Sequence, residues 1–245
     1  MLGVLLTVLA VGEPQVLESR AGVETRTAGY AASDYVRGSY VSVSPWVVFP
    51  LAKGLWASVE APMEWARSPF QEVYGLGDVR SALGWRVVQR EEWALDVALA
   101  ESWPVGDSHQ GLGSAQLRLE PTVAGQVRFG RWYARSSAAL RWAIAWGVHG
   151  EHGHLSYADP YDVLDVALRF EGGAWVTPWL AVVAVLEPTL AVVLAPVWPV
   201  GSRAVAGGGA RVEAGAFFGE AMTLMPVTRN AYELWQIRVS AGARF

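Results

Sequence analysis

Cysteine is absent from all 245 residues, which excludes disulfides and thiolate metal centres. Lysine occurs once, at Lys53, and charged residues make up only 17% of the chain, against roughly 25% in an ordinary soluble domain. A net charge of −4 leaves no basic surface for nucleic acid. Convincing helical periodicity is also missing past residue 14. What the chain holds in excess is tryptophan, with 13, and glycine, with 26. Its length admits one large domain or two small ones.

The chain opens on MLGVLLTVLAVGEPQ, an apolar run about as long as a signal-peptide core. Ala10 and Gly12 are the small residues preceding a cut before Glu13, although a positively charged leader segment is missing. The expected organisation is a signal peptide over residues 1–12 and one domain over 13–245.

That domain is built on a period of two. In LWASVEAPMEW, Leu55, Ala57, Val59, Ala61, Met63 and Trp65 alternate with Ser58, Glu60 and Glu64. RWYARSSAALRWAIAW sets Trp132, Ala134, Ala138, Leu140, Trp142, Ile144 and Trp146 against Tyr133, Arg135 and Arg141. The closing ELWQIRVSAGARF sets Trp235, Ile237, Val239, Ala241, Ala243 and Phe245 against Gln236, Arg238, Ser240, Gly242 and Arg244. Such alternation marks a strand with one apolar and one polar face. Segments of this kind, about ten residues long and separated by turns, are the signature of an all-β, up-and-down transmembrane β-barrel.

Twelve strands fit, near 15–27, 38–50, 54–66, 76–89, 92–104, 114–127, 131–147, 161–171, 174–186, 189–198, 207–218 and 233–245. The number is even, as bacterial barrels require. Short connections (LAKG, QREE, RFG, EGG) follow the even strands, and longer ones (GYAASDYVR, ARSPFQEVYG, VGDSHQGLG, HGEHGHLSYADP) follow the odd ones. Short turns would then face the periplasm and long loops the exterior. The rhythm breaks late in the chain, where the connection after the ninth strand is tight and that after the tenth is long; ten strands is the other count.

A soluble β-sandwich would also alternate. Against it, Trp65, Trp93, Trp132, Trp146 and Trp235 fall at or near strand ends on the apolar face, where a membrane girdle needs them. Phe245 closes the chain on the same face. The stretch over 174–200 carries Glu187 as its only charge and is long enough for a membrane helix. Pro178, Pro188, Pro196 and Pro199 interrupt it, and its valines favour strands, so it reads as two strands flanking Glu187-Pro188.

With the apolar face toward lipid, charged side chains face the lumen. The expected lining is Glu18, Arg20, Glu60, Glu64, Asp78, Arg80, Arg86, Asp96, Arg118, Glu120, Arg135, Arg141, Asp165, Arg169, Arg211, Glu213, Arg238 and Arg244, joined by Glu24 and Arg26. The two signs are nearly balanced, which argues against selection of ions by sign. Twelve strands enclose less than the roughly 16 to 18 of an open porin, so opposed Arg and carboxylate side chains could cross-link much of the bore.

Weaker signals accompany these. His149, His152 and His154, with Glu151 or Asp159, are types that bind a divalent metal, but their loop-like spacing reads as a solvated surface and no metal is expected. His154-Leu155-Ser156 is spaced like the His-x-Ser pair of outer-membrane lipid hydrolases, although Tyr157 follows where Asn is usual. AVAGGGARVEAG is glycine-rich but lacks the βαβ surroundings of a dinucleotide site, and reads as a flexible turn entering a strand.

GLWASVEAPMEW, GLGDVRSALGWRVV and WPVGDSHQGLG, between about residues 40 and 125, resemble a group of outer-membrane proteins named for the meta-cleavage pathway of phenol degradation. The strand ending in a Pro-aromatic turn, the Gly-x-Gly-Asp strand opening and the Pro-x-Gly-Asp turn carry the likeness, with Val105 where the group usually has Thr. IRVSAGARF fits outer-membrane barrels in general. The resemblance implies a non-enzymatic barrel in the outer membrane that passes or binds small solutes, hydrophobic or aromatic ones among them. It also implies outer-membrane lipid and the barrel-assembly machinery as partners, with Phe245 as the signal that machinery reads. A barrel hydrolase using His154 and Ser156, and a closed structural barrel, are the alternatives. No cofactor is expected.

Overall fold

The computed structural model describes residues 18–31, 37–69, 71–107, 112–114, 116–145, 163–193, 201–228 and 233–245. The expected signal peptide over 1–12 lies outside them, as do Trp146, His149, His152, His154 and Ser156. The described strands are β1 Arg20–Ala31, β2 Arg37–Ala52, β3 Leu55–Glu60, β4 Met63–Arg67, β5 Glu72–Leu76, β6 Val79–Gln89 and β7 Trp93–Trp103. They continue as β8 Gln116–Phe129, β9 Trp132–Ala145, β10 Leu164–Trp175, β11 Leu180–Val193, β12 Arg203–Ala214, β13 Phe217–Pro226 and β14 Glu233–Arg244. Every pairing is antiparallel, and β1 pairs with both β2 and β14, so the sheet closes on itself.

β3 and β4 are successive halves of one stave, and so are β5 and β6, which makes a barrel of twelve strands as expected. Proline explains where these staves break. Pro62 has no N–H to give to a ladder. Beside it, the Ala61 N–H reaches the Pro45 carbonyl at 3.2 Å and the Gly77 N–H reaches the Pro62 carbonyl at 2.8 Å. Other mid-strand prolines also sit at gaps in the ladder. The β8–β9 register skips from Leu119 to Thr122 around Pro121, and the β10–β11 register skips from Leu186 to Thr189 around Pro188.

Three late boundaries differ from the sequence reading. Glu171-Gly172-Gly173 is not a turn but the middle of β10, and the turn falls at 176–179, where the Thr177 hydroxyl accepts the Leu180 N–H at 3.0 Å. Glu187-Pro188 lies inside the single strand β11, because the missing proline N–H falls at the ladder gap. The expected strands 174–186 and 189–198 therefore merge around 180–193. The expected strand 207–218 instead divides at Gly215, whose φ of 60° suits a tight reversal, and the Gly207–Gly209 run lies within β12. With these shifts the count stays at twelve and the late rhythm is regular: tight turns at 176–179 and 215–216 alternate with longer intervals in sequence between β11 and β12 and between β13 and β14.

The outer surface is apolar. Exposed Trp85, Trp93, Trp132 and Trp179 lie toward the short-turn end, and exposed Trp65, Trp103, Trp142 and Trp235 toward the other. Between them run exposed aliphatic side chains such as Val123, Leu99, Leu186 and Val239. Such a belt with two aromatic rims matches a bilayer slab. Among the described residues no helix is long and apolar enough to cross a membrane.

Val123 sits midway along β8, facing out. Val123→Arg is expected to lower stability in phospholipid vesicles by about 2–4 kcal/mol, and Val105→Arg, beyond the Trp103 rim, by at most about 1 kcal/mol. Denaturant titration of the refolded proteins measures both.

Candidate functional site: the charged interior

A closed sheet with an apolar exterior must turn its alternate residues inward, and those carry the charge. On β9 to β14 they form one lattice. Arg238 grips Glu187 with both terminal nitrogens, at 2.8 and 2.7 Å. Arg169 reaches Glu187 at 2.5 Å and Glu171 at 2.8 Å. Glu171 also accepts from Arg135 and Arg211, each at 3.0 Å, and Arg211 turns its same nitrogen to Glu220. Four guanidiniums share three carboxylates, and none of these side chains is more than 14% exposed.

The lattice is carried over an apolar wall. Arg238 stands on β14 and Glu187 on β11, so their bridge passes above β12 and β13. There the buried side chains are Val205, Met222 and Leu224, clustered with Val183 and Val185 of β11. Gly207 and Gly209 thin the wall beneath, and a Cβ at either would collide with a backbone carbonyl of β13.

Smaller pairs sit elsewhere on the inner face. Arg80 and Arg118 share Glu120 at 2.8 and 3.6 Å, Arg86 holds Asp96 at 2.9 Å, and Arg141 holds Asp165 at 2.5 Å. Arg244 meets Glu213 at 3.0 Å, and Arg26 lies 3.6 Å from Glu24. Removing charges from water is expensive, and such pairs recover the cost only by geometry and extra hydrogen bonds. Shared acceptors and two-nitrogen grips supply both here.

Aromatic side chains are placed by glycine. Trp46 stands directly across from Gly22, Trp56 from Gly84, Tyr133 from Gly173, Phe218 from Gly242 and Tyr30 from Gly38. In each case the ring occupies the space where the glycine would carry a Cβ, so the ring lies down along the inner wall. Trp46 stacks on Phe218 with ring centroids 5.9 Å apart, and Arg135 lies 4.8 Å over the Tyr133 ring. Such contacts add the ring quadrupole to the attraction on the guanidinium.

Asp78 plays a different part from the paired carboxylates. Its carboxylate accepts the Ser114 N–H at 2.9 Å, the Ser114 hydroxyl at 2.8 Å and the Gly106 N–H at 3.2 Å. Gly106 and Gly113 touch closely, and neither has room for a side chain. The Gly-x-Gly-Asp and Pro-x-Gly-Asp motifs thus meet: the aspartate of the first clamps the glycine turn of the second, with Leu112 buried beside it.

Of the other residues singled out from sequence, Arg20, Glu60 and Glu64 are buried and Glu18 is half-buried just before β1. Phe245 is 75% exposed, and its N–H reaches the Ser19 carbonyl at 3.0 Å. Glu171, Glu187 and Glu220, the three carboxylates of the lattice, escape the sequence reading because it places turns at or beside them. Parity would have found them: Arg169 and Glu171 share a face, as do Val183, Val185 and Glu187. The His154 and Ser156 pair lies outside the described residues. Among the described residues no cluster is suited to a metal.

An apolar exterior, a closed antiparallel sheet of twelve strands and an ion-paired interior define an outer-membrane β-barrel. An outer membrane channel from Pseudomonas putida F1 has a similar fold, at TM-score 0.72 and 12% identity over 94% of this chain and 96% of that one. The NanC porin gives 0.53 and 11% over 91% and 98%. The translocator domain of the autotransporter NalP from Neisseria meningitidis gives 0.58 and 14% over 93% and 89%. At such identities the likeness is one of fold. No family model matches the chain, and no curated protein matches it.

Two substitutions test the interior. Glu187→Gln strips Arg169 and Arg238 of their shared charge and is expected to cost about 3–5 kcal/mol on denaturant titration in detergent, as for other broken buried pairs. Asp78→Ala is expected to leave the barrel folded while making the chain near 104–107 accessible to limited proteolysis, which mass spectrometry of the fragments would locate.

Proposed function

We propose that the protein is a passive, non-enzymatic barrel of the outer membrane that passes or binds small solutes with an apolar or aromatic body. The observation that carries this reading is the state of the inner aromatic rings. Trp46 and Trp56 are buried on the inner face, and their indole N–H groups find no hydrogen-bond partner among the described residues. The Tyr133 hydroxyl is in the same position. A buried donor without an acceptor is costly, so each ring gains by turning from the wall toward a solute that brings a ring and an oxygen.

The charged residues expected to line the bore act, in this reading, as its frame. Their nearly balanced signs favour solutes by size and polarity rather than by charge. The resemblance of residues 40–125 to the phenol-degradation group supports aromatic solutes. Periplasmic short turns, surrounding outer-membrane lipid, and recognition of Phe245 by the barrel-assembly machinery belong to the same proposal.

A closed structural barrel is the second reading, favoured by the deep burial of nearly all inward Arg and carboxylate side chains. Planar-bilayer recording and liposome swelling with phenol, benzoate and small sugars separate the two. The proposed function expects a small conductance with weak sign selectivity, faster entry of phenol than of a sugar of similar size, and a several-fold change for Trp56→Ala. A barrel that folds but gives neither current nor swelling supports the closed form.

A further inference from the structure

The outer wall carries a trough that the apolar belt alone does not require. Its floor is made of small residues on neighbouring strands: Gly125 of β8, Ala134 and Ser136 of β9, Gly172 of β10 and Ala184 of β11. The register sets Ala134 directly beside Gly172, and Gly172 beside Ala184. Trp93, Leu95 and Val127 rise on one side, Phe170 and Leu186 on the other. The hollow measures about 650 Å³, within the roughly 300–1,000 Å³ of clefts that hold ligands.

Position and chemistry identify the occupant. The trough lies along β9 over Ala134 and Ser136, on the side of the middle of the stave that leads to exposed Trp132 and the turn at Gly130-Arg131. That is the direction of an acyl chain in the leaflet on the short-turn side. At the foot of the trough, on the turns flanking β7 and β8, stand exposed Arg90 and Arg131, with the Arg131 guanidinium 5.3 Å over the Trp132 ring. A guanidinium at the aromatic rim is where a lipid phosphate sits. The Ser136 hydroxyl faces outward in the apolar belt, which a neighbouring lipid ester can satisfy.

We propose that this trough is a binding site for one phospholipid of the periplasmic leaflet, its acyl chain lying over Ala134, Ser136 and Gly172 and its phosphate held by Arg131. The inference rests on the membrane-spanning reading but not on any solute. It makes the wall between β7 and β11 a place where one lipid is retained while its neighbours exchange. Gly172 is the informative position, because a Cβ there meets nothing within 4 Å and a larger side chain can fill the trough without disturbing the strand.

The test is native mass spectrometry of the intact protein in mild detergent with added dipalmitoyl phosphatidylethanolamine. The wild type is expected to keep one lipid under collisional activation. Gly172→Phe should hold it roughly tenfold more weakly, and Ser136→Leu serves as a second filling variant should Gly172→Phe fail to fold. Arg131→Glu should weaken retention of the phospholipid but not of a diacylglycerol. Val239→Phe, on the far wall, should change nothing. No retained lipid in the wild type, or equal retention in the filled and far-wall variants, overturns the site. So does a dimer that Gly172→Phe dissociates, which would make the trough a protein interface. An unboiled sample that shows no compact band on a gel would instead remove the barrel itself.

Discussion

Hydrocarbon offers no partner to a peptide N–H or C=O, and that one fact shapes this molecule. A sheet placed there must leave no edge, so the last strand has to find the first. The register from Arg20 opposite Arg244 to Tyr30 opposite Glu233 does this. Once the cylinder is closed, the period of two leaves no choice about the rest. Apolar side chains take the outside, and arginines and carboxylates are confined to an interior where most of them are buried. The lattice around Glu171, Glu187 and Glu220 is the consequence: acceptors are shared because there are fewer carboxylates than guanidiniums within reach.

Glycine and the inner aromatic rings are coupled in the same way. A ring on the inner face of a narrow barrel can stand into the bore or lie along the wall, and it lies down only where the opposite residue has no Cβ. Gly22, Gly84, Gly173 and Gly242 provide that room. Apolar strips and charged bridges can then share one interior.

The sequence was most legible where a single strand answered for itself. Alternation in the segments around 132–145 and 233–244 told which face was which, and the count of twelve followed. It was least legible where a local signal had a distant cause. Glu171-Gly172-Gly173 has turn composition, yet Gly173 is there to receive Tyr133 from the next strand. Glu187-Pro188 looks like a strand end, yet the lost proline N–H falls in a gap of the β10 ladder. The clamp of Asp78 on Gly106 and Ser114 joins residues 28 and 36 positions apart, and local composition does not carry such a contact.

The pairing of Trp56 with Gly84 makes the width of the bore depend on an atom that is not in it. A single methyl group at position 84 would evict the indole from the wall and push it into the interior. The shape of the interior is therefore written partly in backbone hydrogens on the wall, and a change there would act at a distance of one strand.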